Sequence, residues 1–90
     1  MTKTDLAIKQ IGYELVKHDD ILNIFVYENK CEDQRVIIEV DTSPDGDLND
    51  YILHSMTISE YTDYYGHLYN EPMGLSHLEM TLFLAKIEEL

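Results

Sequence analysis

The chain has 90 residues, and its eighteen carboxylates against six Lys and Arg give a formal charge of −12 at pH 7. That length is read as a single domain, 1–90, with a modest core, and 44 % hydrophobic residues argue against disorder. The charge disfavours direct binding to nucleic acid or an anionic membrane, because neutralising phosphates takes Lys and Arg.

Met1–Asp5 lacks the basic flank and apolar run of a signal peptide, and no stretch approaches the roughly 20 apolar residues of a membrane span, so a cytoplasmic location is expected. A short helix is predicted from Lys3 to Ile11, capped by Thr2 or Thr4, with Gly12 as the left-handed residue that ends it. Tyr13 to Lys17 reads as a strand, and Asp19-Asp20 as a turn. Ile21 to Tyr27 is β-rich and apolar on both faces, the character of a central strand. After a polar turn, Glu28 to Asp33, the alternation of Val36, Ile38 and Val40 with Glu39 and Asp41 marks a half-buried antiparallel strand from Arg35 to Asp41.

Ser43 to Asp50 reads as a loop around Pro44 and Gly46. Tyr51 to Ile58 fits a further strand, with Ile52, His54, Met56 and Ile58 on one face and Tyr51, Leu53, Ser55 and Thr57 on the other. Ser59 to Gly74 has no secure assignment; a helical turn from Ser59 to Tyr65, ended by Gly66, is one option. The last element is the surest. Ser76 and Glu79 form an S-x-x-E capping box, and Leu75 and Met80 hold the positions of a hydrophobic staple. Met80, Phe83, Leu84, Ile87 and Leu90 make one apolar stripe, expected to pack on the sheet. A narrower stripe of Leu78, Leu82 and Ala85 either packs on the first helix or stays exposed for self-association. The class is therefore α+β: a three- to four-stranded antiparallel sheet, a short N-terminal helix, and a C-terminal helix packed on one face.

No motif for catalysis emerges. His18, His54, His67, His77 and Cys31 lack zinc-ligand spacing. Cys31 stands before Glu32 and Asp33, which oppose a reactive thiolate, and being the lone cysteine it forms no internal disulfide. The segment 41–49 partly resembles an EF-hand loop, with Asp41, Ser43, Asp45 and Gly46 in place. Ile52 stands where the bidentate carboxylate belongs, which leaves at most a weak calcium site. No cofactor is expected, and binding is favoured over enzymatic activity.

The most informative feature is a fifty-residue run, Val36 to Ala85, without one Lys or Arg. It holds nine carboxylates and five of the seven tyrosines. Solvated surfaces normally intersperse both signs, and tyrosine concentrates at interfaces. Arginine pairs with carboxylates and stacks on phenol rings, so a basic partner surface is the expected complement. The candidate contact residues are Asp45, Asp47, Asp50, Glu60, Tyr61, Asp63, Tyr64, Tyr65, Tyr69 and Glu71.

In size, charge and α+β layout the chain resembles the small acidic inhibitors encoded by phages and other mobile elements, anti-CRISPR proteins and DNA mimics among them. The resemblance is to a class and carries no sequence motif. It implies a stoichiometric inhibitor of a nucleic-acid-binding protein or nuclease, with Asp45, Asp47, Asp50, Glu60, Asp63 and Glu71 standing in for phosphates and Tyr61, Tyr64 and Tyr65 as anchors. The alternative reading is an accessory protein that forms a homodimer through the C-terminal helix.

Overall fold

The computed structural model describes residues 2–42 and 48–90. Helix α1 (Lys3–Gln10) is followed by strands β1 (Glu14–Asp19), β2 (Ile24–Asn29), β3 (Gln34–Thr42) and β4 (Leu48–Thr57). Then come two short strands, β5 (Tyr61–Thr62) and β6 (Leu68–Tyr69), and helix α2 (His77–Glu89). The first four strands form an antiparallel meander in the order β1-β2-β3-β4, and β5 and β6 pair separately.

Both helices begin with a complete capping box. Thr2 and Asp5 satisfy each other's amides at the start of α1, and Ser76 and Glu79 do so at α2. Gly12 follows α1 at φ 107°, and a Cβ there would lie 2.7 Å from Asn29 Nδ2. Asn29 is buried and holds the Ile11 carbonyl through that same nitrogen, so backbone sign and space both demand glycine.

The core joins Ile8 and Tyr13 to Phe25, Tyr27, Val36, Ile38 and Val40 of the sheet and to Phe83 and Ile87 of α2. Phe83 is the hub, with Tyr13 edge-on at 5.1 Å and Tyr27 at 5.3 Å. The inward stripe of α2 is narrower than its apolar periodicity: Phe83 and Ile87 are buried, while Met80 and Leu90 are each 39 % exposed. The second stripe divides. Leu82 packs against the core and Leu78 stays exposed.

Two expectations about the strands need correction, and the pairing of β4 decides between its two faces. Ile21 and Leu22 belong to the β1–β2 turn and are largely exposed, because Asp19 Oδ1 accepts both of their amides at 3.0 Å and carries the turn on to Asn23. The loop after β3 is shorter than Ser43 to Asp50, since β4 already begins at Leu48. The helix-facing side of β4 is the less apolar one: Val36 pairs with Ser55, Ile38 with Leu53 and Val40 with Tyr51. Ile52, His54 and Met56 therefore alternate onto the other face, beside Glu39, Ile37 and Arg35. Arg35 pairs there with Glu28 at 2.9 Å.

Helices α1 and α2 run past each other in opposite senses. Lys86, the cation that ends the basic-free run, bonds Asp5 at 2.8 Å. Hydrogen bonds from the hydroxyls of Thr4 and Thr2 hold the Glu89 carboxyl below its usual value. An acid at the C-terminus of α2 thus sits at the N-terminus of α1, where a helix dipole favours it. Among the described residues no helix is long and apolar enough to cross a membrane.

Candidate functional site: an acidic hairpin carrying four tyrosines

Residues 59–71, for which no assignment is secure on sequence and a helical turn from Ser59 to Tyr65 is one option, leave the end of β4 as a projecting hairpin. Its local chemistry explains the choice. Asp63 Oδ1 accepts the amides of Tyr65 and His67 at 2.8 Å, while Gly66 takes φ 84° and donates to the Asp63 carbonyl. This is a tight turn closed by a left-handed glycine, the geometry that joins two antiparallel strands. Tyr61 stands opposite Tyr69 across it, their rings 6.0 Å apart.

The base of the hairpin is clamped to β4. Asn70 Nδ2 is directed at the carbonyls of Thr57, Ile58 and Ser59. Thr57 donates its amide to the Glu71 carbonyl, and its hydroxyl accepts the Glu71 amide. Residues 71–73 then return beside β4, bridged at Met56 and Pro72. Asp33 in the β2–β3 turn adds a further tie, its Oδ1 accepting the Ser59 amide at 2.9 Å.

At the tip Tyr64 is 95 % and Tyr65 79 % exposed, packed edge to face at 5.4 Å. Tyr61 and Tyr69 behind them are each 41 % exposed. Three carboxylates and no Lys or Arg accompany these rings: Glu60, Asp63 and Glu71. Asp63 is committed to the turn, since its second oxygen meets His67 Nδ1 at 3.3 Å. Glu71 faces the Tyr69 hydroxyl at 3.5 Å, and Glu60 is exposed.

The structure brings together seven of the ten candidate residues and separates an eighth. Glu60, Tyr61, Asp63, Tyr64, Tyr65, Tyr69 and Glu71 lie in the hairpin. Asp50 lies at the far end of β4, opposite Asp41 and about 23 Å from Thr57 at the usual rise of a strand. Asp45 and Asp47 lie outside the described residues, as does most of the 41–49 segment considered for calcium. Among the described residues no three side chains converge as metal ligands.

A concave site lies elsewhere, under α1 and along β1. It is a cleft of about 640 Å³ whose lining includes Ile8, Lys9, Leu15, His18, Phe25 and Leu90. Sequence reasoning passed over it. The one visible signal is that three of the six basic residues, Lys3, Lys9 and Lys17, fall in α1 and β1, outside the basic-free run. The chain matches no protein-family model, and no curated protein or solved structure is significantly similar to it.

Proposed function

We propose that this protein is a non-catalytic binding module whose hairpin docks on a basic surface of a partner protein and blocks or regulates it. A nucleic-acid-binding channel is the surface best suited, because it already carries the Arg and Lys that carboxylates and phenol rings recognise. The observation that carries this reading is the exposure of Tyr64 and Tyr65 at the tip of a clamped hairpin that has acids and no cation. Rigid aromatic anchors with few rotatable bonds lose little entropy on docking, and surrounding carboxylates speed the encounter.

In this reading Glu60 and Glu71 meet the partner's cations, Asp63 shapes the turn, and the tyrosines supply contact area. Asp50, at the other end of the sheet, adds long-range attraction only. Capture of partners from a host lysate, with competition by DNA or RNA, tests the proposal. The expected result is a basic partner, displaced by nucleic acid, whose affinity falls as salt rises from about 50 to about 500 mM. Loss of capture in a Tyr64→Ala/Tyr65→Ala variant would tie it to the hairpin. Partners without basic surfaces, or salt-independent binding, would overturn it.

A further inference from the structure

We infer that the cleft beneath α1 binds a small anionic amphiphile, with its apolar tail on Leu15, Phe25 and Leu90 and its anionic head on Lys9. Strand β1 is a sheet edge, and its inward residues Leu15 and His18 stand beside Tyr27 and Phe25. Neither helix closes over them, so Leu15 remains 50 % exposed although its neighbour Phe25 is buried. His18 stacks on Phe25 at 4.1 Å, giving the cleft a flat aromatic wall. The volume of about 640 Å³ falls within the range of small-molecule sites.

Charge selects the head group. Among the described residues Lys9 forms no ion pair, whereas Lys86 and Asp5 are spent on each other. Glu14 is also among the residues that line the cleft, but it is paired in register with Glu28 and so alternates toward the face that carries the Glu28–Arg35 pair, which leaves Lys9 as the free charge on the tail side. An uncommitted ammonium beside open apolar surface suits a carboxylate or similar anion on an apolar body. A peptide strand is the poorer occupant. The bulge between Leu15 and Lys17 breaks the regular ladder at this edge, and a lysine there discourages strand addition.

The test is an NMR titration of the isotope-labelled full chain with decanoate and, in parallel, decyltrimethylammonium, both below micelle-forming concentrations. Decanoate should shift Ile8, Leu15 and Leu90 signals saturably, and Lys9→Gln should weaken it about two- to fivefold without changing the fold. Because the protein carries −12 overall, general electrostatics favours the cationic probe, so a preference for the anion is diagnostic. Equal or tighter binding of the cation overturns the inference, as does the absence of saturable shifts at these residues. The same signals moving with protein concentration alone would place a second copy in the cleft and overturn it too.

Discussion

The buried phenol of Tyr13 donates a hydrogen bond to Glu79 Oε2, a residue 66 positions later in the chain. The other oxygen of the same carboxylate accepts the Ser76 amide at 2.8 Å and completes the cap of α2. One side chain therefore starts the last helix and fastens it to the α1–β1 junction. The aromatic contacts of Tyr13 and Tyr27 with Phe83 lie directly beneath.

Tyr13→Phe removes the phenol and leaves the Glu79 cap in place. It should cost about 1.5–3 kcal/mol, the usual worth of a hydrogen bond to a charged group. Glu79→Ala should cost more, since it also breaks the cap, worth about 1 kcal/mol, and leaves the Tyr13 hydroxyl unpaired. Urea unfolding of the two variants checks the order. Equal and negligible losses would show that the bond holds nothing together.

Stability should respond to pH at both ends through this pair. Burial, and then the bond to Glu79, raise the Tyr13 phenol well above its ordinary 10.0. Its contribution is thus fully present below pH 10 and falls as pH rises beyond it. Burial pushes Glu79 up, but hydrogen bonds from Tyr13 and from the Ser76 amide and hydroxyl outweigh that and leave it below 4.5. Its contribution is present above that value and is lost as pH falls. The stability gap between wild type and Tyr13→Phe should narrow above pH 10, and the gap to Glu79→Gln should narrow below pH 4.5. Differences between proteins cancel the general relief of charge repulsion in acid.

Gly12→Ala should destabilise by about 1–3 kcal/mol, since a strained backbone sign is compounded by the approach of Asn29. Asn29→Ala costs stability by itself, through its lost bonds to the Ile11 carbonyl and the Glu32 amide. In that background Gly12→Ala should cost less than in the wild type, because space is opened while the positive φ stays. Additive losses in the double variant would show that the side-chain approach has no effect.

Hairpin and sheet should separate in hydrogen exchange. Asn70→Ala removes the side chain directed at three carbonyls, so amides of 61–69 should exchange faster while β2 and β3 keep their protection. Tyr64→Ala, at an exposed site, should change stability by less than about 0.5 kcal/mol. Global destabilisation by either change would mean that the hairpin is part of the folding core.

At the first helix Thr2 and Thr4 both stood as caps until the Thr2–Asp5 box decided for Thr2. The start of the last helix was legible because a capping box is a local object, Ser76 and Glu79 being three residues apart. The turn at Gly12 and the alternation of Val36, Ile38 and Val40 were legible for the same reason. The hairpin was not, although its turn is built from Asp63, Gly66 and His67. Two-residue strands carry too little periodicity to announce themselves, and Asn70 and Thr57 hold the base through contacts that spacing does not reveal.

What the sequence determined by itself was therefore the α+β class, the stop of the first helix at Gly12 and the start of the last at Ser76, and a basic-free stretch rich in acids and tyrosines. Only the tertiary structure decided that β4 turns Leu53 and Ser55 inward instead of Ile52 and Met56. Both faces of that strand carry apolar residues, so its pattern was a near tie that pairing with β3 broke. The tertiary structure also gathered seven candidate residues on one hairpin and left Asp50 a strand's length away. Nearness along the chain measures distance poorly once a segment is extended at about 3.3 Å per residue.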